Sequence, residues 1–179
     1  MRCIGIVTDR EILGTAGLSK AKPRFTARAI IKNHLDEYAV LFAKDFGLYS
    51  LPGGGIDADE NIEDALIREV YEETGVNIVN VEELGYVEEN RAHCDYTQIS
   101  YYFIVTTDSK YLCPHLTEEE TKHGTTVDWY TFDEAYQLIS SAEHTTVQRK
   151  FLQARDVLAL CEYKEVMKKL GTVLFSGIK

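Results

Sequence analysis

Residues 54–76 read GGIDADENIEDALIREVYEETGV, and the rest of the chain is best read outward from this stretch. It is entered through Pro52 and the run Gly53, Gly54 and Gly55, a composition that no regular strand or helix is expected to carry through. From residue 61 to residue 74 the pattern turns helical. Asp59 or Asn61 can cap the start, and Gly75 stands where a left-handed C-terminal cap belongs. Leu66, Ile67 and Val70 are the apolar contacts that would seat this helix on a sheet. At roughly 100° per residue, Glu69, Glu72 and Glu73 fall within an arc of about 100° on one helix face. Carboxylates this crowded raise each other's pKa unless a cation intervenes. Hard oxygen donors on a rigid helix suit Mg²⁺ or Mn²⁺, which also take up phosphate oxygens. The helix by itself reads more readily as a solvated acidic face, with Arg68 pairing to Glu72 one turn on. The glycine entry, the fixed spacing and the glycine exit together reverse that reading.

The fixed points are Gly54, Glu60, Arg68, Glu69, Glu72, Glu73 and Gly75, with aliphatic Val70 and Val76. This pattern resembles the signature of the Nudix hydrolase family, G-x5-E-x7-R-E-U-x-E-E-x-G-U with U aliphatic, at every position. At average residue usage a chance match is on the order of one in ten million, so coincidence is set aside. The strands before the motif, its Leu51 to Gly54 entry and Trp129 ahead of a short helix also look like family features. The resemblance implies a metal-dependent hydrolase that cuts a diphosphate linkage in a small nucleotide-like substrate by water attack on phosphorus. It further implies Glu69, Glu72 and Glu73 as metal ligands, with Gly53, Gly54 and Gly55 as the loop that approaches the metal–phosphate site. Glu69, by its position after Arg68, is either the base or a holder of the metal that activates the water, Arg68 orients the neighbouring glutamates, and Glu60 is mainly structural, its side chain expected to point away from the carboxylate face. Members often take a further acidic residue from a later loop. Glu118, Glu119 and Glu120 are the supply here, with Glu120 named first and His123 as a weaker base.

Upstream, Arg24–Lys32 alternates: Phe25, Ala27, Ala29 and Ile31 on one face, Thr26, Arg28 and Lys32 on a wetter one. Residues 33–36 read as a turn and Tyr38–Ala43 as a more buried strand, and the two strands together look like a hairpin. Downstream, 76–86, 99–107 and 127–132 read as strands, and 133–140 as a short helix. A longer helix over about 146–170 carries Val147, Phe151, Ala154, Leu158 and Cys161 at steps of four and three. That stripe reads as packing on the chain's own sheet, with a homodimer contact as the open alternative. Residues 1–179 are taken as one domain, expected to be a three-layer α/β/α sandwich with a central mixed β-sheet.

Composition is that of a globular chain: 45% hydrophobic and 27% charged over 179 residues. The formal net charge of −10 disfavours a nucleic-acid polymer as partner, yet allows a small phosphate ester if cations stand between carboxylate and phosphate. Cys3, Cys94, Cys113 and Cys161 form no C-x-x-C pair, which fits a reduced, cytoplasmic protein. No apolar run reaches membrane-spanning length, and the apolar run within residues 1–9 is short for a signal peptide.

The substrate is left open. No proline follows Gly75 until Pro114, and the arrays that mark NADH, coenzyme A and dinucleoside polyphosphate hydrolases are missing. Tyr102 faces opposite to Ile99, Tyr101 and Phe103 on its strand and is weighed as a base-stacking residue, against the more ordinary reading of a packed layer. A catalytically silent nucleotide-binding or regulatory module on this fold is the alternative function. It normally loses motif glutamates, and all are kept here. An isomerase on the fold would need a cysteine–histidine metal arrangement that the sequence does not display.

Overall fold

The computed structural model describes residues 1–108 and 113–176. In chain order the elements are β1 (Cys3–Thr8), α1 (Asp9–Leu13), β2 (Arg24–Lys32), β3 (Tyr38–Ala43), β4 (Leu48–Ser50) and β5 (Gly53–Gly55). Then follow α2 (Ile62–Thr74), β6 (Asn80–Arg91), β7 (Tyr96–Thr106), α3 (Glu118–Lys122), β8 (Thr125–Tyr130), α4 (Phe132–Ser141) and α5 (Val147–Ser176). The strands form one mixed sheet. β1 runs parallel to β6 and β2 parallel to β7, while the other pairs are antiparallel.

Side chains alternate across β2, and each set finds its own helical layer. Ala27, Ala29 and Ile31 pack with Phe103 and Val105 against Ala65, Leu66 and Val70 of α2. On the opposite face Ile30, Val87 and Tyr102 pack against Ile139 of α4 and Phe151, Ala159, Leu160 and Tyr163 of α5. This is the expected three-layer sandwich. On the face of β2 read as wetter, Arg28 and Lys32 are half-buried, while Thr26 is buried against Ser100 and Ile30 joins the core with α5. Among the described residues no helix is long and apolar enough to cross a membrane.

Four local expectations change. First, β2 and β3 are not a full hairpin: they pair only at Lys32 and Tyr38, across the turn organised by Asn33. The edge that β3 would need is taken by β5, which runs antiparallel to residues 26–28, and Ala29 N–H donates to Pro52 O at 2.9 Å. Second, the glycine run therefore does form a strand, albeit of three residues.

Third, β6 and β7 extend past the apolar segments that announced them, meeting at a tight turn over Ala92–Cys94 with Asp95 left-handed (φ 48°). Their polar ends, Glu89, Arg91 and Gln98, are buried. Fourth, the buried face of α5 is Phe151, Arg155, Asp156, Ala159, Leu160 and Tyr163, while Cys161 is exposed. Val147, Ala154 and Leu158 of the expected stripe pack partly buried against the core beside Phe151, and the fully buried face also carries an ion pair. Arg155 Nε donates to Asp156 Oδ1 (3.0 Å) and Arg155 Nη1 to Glu89 Oε1 (3.3 Å). Asp156 also accepts from Tyr102 Oη (2.5 Å) and from the backbone N–H of Leu51 (3.0 Å).

β1 and α1 were not anticipated, although Thr8 and Glu11 spell a capping box that the structure uses.

Candidate active site

The helix that carries the motif is fixed at both ends and along one side. Asn61, rather than Asp59, caps it: its Oδ1 accepts from Asp64 N–H at 2.9 Å. Gly75 closes it in the left-handed conformation (φ 71°), its N–H donating to Tyr71 O at 2.8 Å. Burial of Ala65, Leu66 and Val70 on the sheet turns Arg68, Glu69, Glu72 and Glu73 toward β5.

The glycines are required by space. A methyl group on Gly53 (φ 130°) would stand 2.6 Å from Arg28 Cα, and one on Gly54 would stand 2.6 Å from Glu69 Cδ. At Gly53 the clash is with backbone, so only hydrogen fits, whereas at Gly54 a side chain would displace the Glu69 carboxylate.

Arg68 ties the site together. Its Nε and Nη2 donate to the two oxygens of Glu60 (2.9 and 2.8 Å), and Nη2 also reaches Gly55 O (3.0 Å). Its Nη1 donates to Glu69 (2.8 Å) and Glu72 (3.3 Å). Glu60 thus does not point away from the carboxylate face. It lies just before the Asn61 cap, where its carboxylate grips Arg68 in a forked pair that holds its pKa below the ordinary range.

Glu69 is largely buried, and burial raises its pKa against the pull of Arg68. Glu73 is buried and accepts from Gly53 N–H. Burial first of all, with repulsion from Glu69 and Glu120, pushes its pKa up to about 8 despite Arg28. Among the described residues the carboxylates do not converge on one point as ligands: Glu69 and Glu72 share Arg68 Nη1, and Glu73 is turned onto Gly53. The donor set nevertheless fits a hard divalent cation, because three glutamates line one cavity and two of them are buried with raised pKa.

That cavity, of about 390 Å³, also receives Glu120 from α3. Glu120 accepts from Thr117 N–H (2.8 Å) and Oγ1 (2.7 Å), so it caps its own helix while facing the motif glutamates. Glu118 and Glu119 are exposed. His123 is not among the residues lining the cavity: it packs against Phe46, ring centroids 4.4 Å apart and planes tilted by 41°. Tyr102 is fully buried and donates its hydroxyl to Asp156, so it has no free face for a base. Arg24 and Arg28 of β2 and Arg155 of α5 line the same cavity, none of them anticipated as site residues. For the first two a signal was legible, since residues 24 and 28 share a strand face.

The buried Glu73 makes stability depend on pH in a definite direction. Its folded pKa of about 8 lies above the ordinary 4.5, so the folded protein keeps a proton that the unfolded chain releases between those values. The metal-free protein is expected to lose stability as pH rises through that window, by at most about 1.4 kcal/mol per unit for one proton. Glu73→Gln should flatten this slope in denaturant titrations at pH 5, 6, 7 and 8. An unchanged slope would contradict the assignment.

Comparison with known proteins places the chain. The NUDIX domain family model matches residues 22–154, and the chain belongs to that family. A putative 8-oxo-dGTP diphosphatase from Bacillus subtilis (strain 168) is 37% identical over 59 residues, 33% of this chain and 40% of that protein's length. The chain thus aligns with well under half of this relative. Among solved structures, a NUDIX hydrolase from Nitrosomonas europaea superposes with a TM-score of 0.60 at 23% identity, covering 80% of this chain and 90% of that one. A MutT NUDIX hydrolase from Burkholderia pseudomallei gives 0.53 at 19% identity, covering 75% and 98%. At these identities the likeness is one of fold.

Proposed function

We propose that this protein is a pyrophosphohydrolase, dependent on Mg²⁺ or Mn²⁺, that cleaves the diphosphate linkage of a small nucleotide. The observation that carries the reading is the meeting of Glu69, Glu72, Glu73 and Glu120 in one cavity walled by a strand of three glycines. Glu69, Glu72 and Glu73 would hold the cation, with Glu120 facing them from the opposite wall. When bound, the ion supplies positive charge to the diphosphate oxygens and acidifies a water.

The protein's own groups do the rest. Glu69, which lines the cavity and is held by Arg68 Nη1, accepts the proton of the attacking water. Arg68 is a positioning residue: clamped by Glu60 and Gly55, it sets the rotamers of Glu69 and Glu72. The Gly53–Gly55 strand has no side chains, so the diphosphate can come against backbone.

The name of the Bacillus relative makes nucleoside triphosphates, oxidised guanine nucleotides among them, the first substrates to assay. The deciding experiment is hydrolysis of about fifty nucleoside di- and triphosphates and diphosphate-linked nucleotides with Mg²⁺ or Mn²⁺, repeated in excess chelator. Turnover that disappears with the metal is expected. Full activity in chelator, or none on any diphosphate, would overturn the proposal. A further check concerns Glu120. Thr117→Ala removes the helix cap and should cost about 1 kcal/mol of stability, while Glu118→Gln and Glu119→Gln leave kcat unaltered. A kcat drop in either of those two would move the fourth carboxylate away from Glu120.

A further inference from the structure

Helix α5 is longer than the body it covers. Its 30 residues span about 45 Å. Phe151, Ala159, Leu160 and Tyr163 are buried against the sheet, with Val166 packed beside them. The apolar stripe does not stop there. Met167 and Leu170 continue it at steps of four and three from Tyr163, yet they are 40% and 50% exposed. Residues 167–170, a full turn, are all exposed. In the sequence Val173 and Leu174 carry the spacing on, and the helix runs to Ser176. A helical end of roughly ten residues is marginal in water unless an apolar surface covers its stripe.

The sheet has the converse defect. On one face α5 lies over β1 and β6, whereas on the other α2 lies over β2 and β5. Among the described residues no helix stacks on β1 and β6 on the α2 side. That bare face is apolar and aromatic. Ile6 is 54% exposed, Val81 and Phe25 are exposed, and the rings of Phe25 and Tyr101 lie parallel with centroids 6.2 Å apart. An exposed patch of this kind marks an interaction surface. Beside the start of α2 it deepens into a groove of about 510 Å³, lined by Ile62, Tyr101 and Phe103, with Glu63 and Glu83 exposed at its rim. Glu83 meets the Met1 amino group at 3.6 Å, but its side chain stays 65% exposed.

Charge complements shape. In a chain of net charge −10, residues 164–170 carry Lys164, Lys168 and Lys169 against Glu165 alone. The groove rim is acidic and the helix end is basic. Within one chain the two cannot meet, because α5 is unbroken from Val147 to Ser176 and lies on the opposite face of the sheet.

We propose that this protein is a twofold homodimer in which residues 164–176 of each copy lie, as the missing helix, on the β1–β6–β7 face of the other. Met167 and Leu170 are the apolar anchors, and the lysines face Glu63 and Glu83. Each copy gives one helix end and receives one, so the exchange is closed and does not propagate.

Sedimentation equilibrium of the full chain at roughly 10 µM should give twice the chain mass of 20.3 kDa. Leu170→Asp on the helix and Val81→Asp on the sheet face should each weaken the dimer at least about a hundredfold, by burying a charge among apolar groups. Both positions are exposed in the single chain, so circular dichroism should show intact folds. Glu83→Lys, on the same rim, repeats the sheet-face test even if Val81→Asp does not fold. Mixed one to one, the Leu170→Asp and Val81→Asp chains should associate more tightly than either alone, because one helix end and one sheet face remain intact. A wild-type monomer at roughly 100 µM would overturn the proposal. Dissociation by Leu170→Asp alone would mean helix end on helix end, and dissociation by the sheet-face variants alone would mean face on face. Either result, a dimer indifferent to all of them, or no recovery on mixing would overturn it as well.

Discussion

Glu69→Gln is expected to lower kcat at least about a hundredfold while leaving substrate KM and the melting temperature of the metal-free protein nearly unchanged. The substitution keeps the shape of the side chain and removes the charge that both a base and a metal ligand need. A hundredfold corresponds to about 2.7 kcal/mol of transition-state stabilisation, a modest share for a charged group at the reacting centre. The framework should survive, because Arg68 retains Glu60, Gly55 and Glu72. Glu69 is also buried at a raised pKa, so losing its charge relieves a desolvation cost that offsets the lost ion pair.

Glu72→Gln should fall as far in kcat if it holds the same cation. Glu60→Gln should fall only about three- to tenfold, since it loosens the forked grip on Arg68 without touching substrate. The measurement is steady-state kinetics beside thermal melts with and without Mg²⁺. Wild-type kcat in Glu69→Gln together with an inactive Glu60→Gln would reverse these roles.

Asp156→Ala should unfold the protein most readily of the variants considered, at a cost of about 3–5 kcal/mol. Asp156, on the inner face of α5, is completely buried and is the common acceptor for Arg155 Nε, Tyr102 Oη and Leu51 N–H. Burial alone would raise its pKa, but Arg155 and then Arg28 draw it below the ordinary value, so it stays charged. Removing it leaves the equally buried Arg155 with Glu89 alone and two donors unpaired. For a chain of this size the melting temperature should drop by about 10 °C. Asp156→Asn, which keeps an acceptor, should lose less than half as much. The change also reaches the site, because Leu51 leads directly into the glycine strand. A melting temperature within about 2 °C of wild type in Asp156→Ala would show that the network contributes little.

The motif helix illustrates what can be read locally. Its cap at Asn61, its exit at Gly75 and its seating by Leu66 and Val70 depend on neighbours a few residues away, and all three were legible. The apolar strands of the central sheet were legible for the same reason, through alternation at Ala27, Ala29 and Ile31. Where burial is achieved by charge pairing, the pattern gives no warning. Glu89, Arg91, Gln98, Arg155 and Asp156 look like surface residues, yet they fill the space between sheet and α5 by satisfying one another. Hydrophobic periodicity cannot register this: it misplaced the ends of β6 and β7, and on α5 it found Phe151 with Val147, Ala154 and Leu158 but not Arg155 and Asp156.

The same division holds at the site. By itself the sequence determined the family and the carboxylate face of Glu69, Glu72 and Glu73, because each follows from spacing along one short segment. Only the tertiary structure decided that Glu60 clamps Arg68, that Glu120 rather than Glu118 or Glu119 lines the cavity with the motif glutamates, and that Arg24 and Arg28 line the same cavity. Those facts depend on which strand edges meet. β5 displaces β3 from β2, and that pairing, settled by non-local hydrogen bonds and by room for a backbone without side chains, brings the arginines to the glutamates.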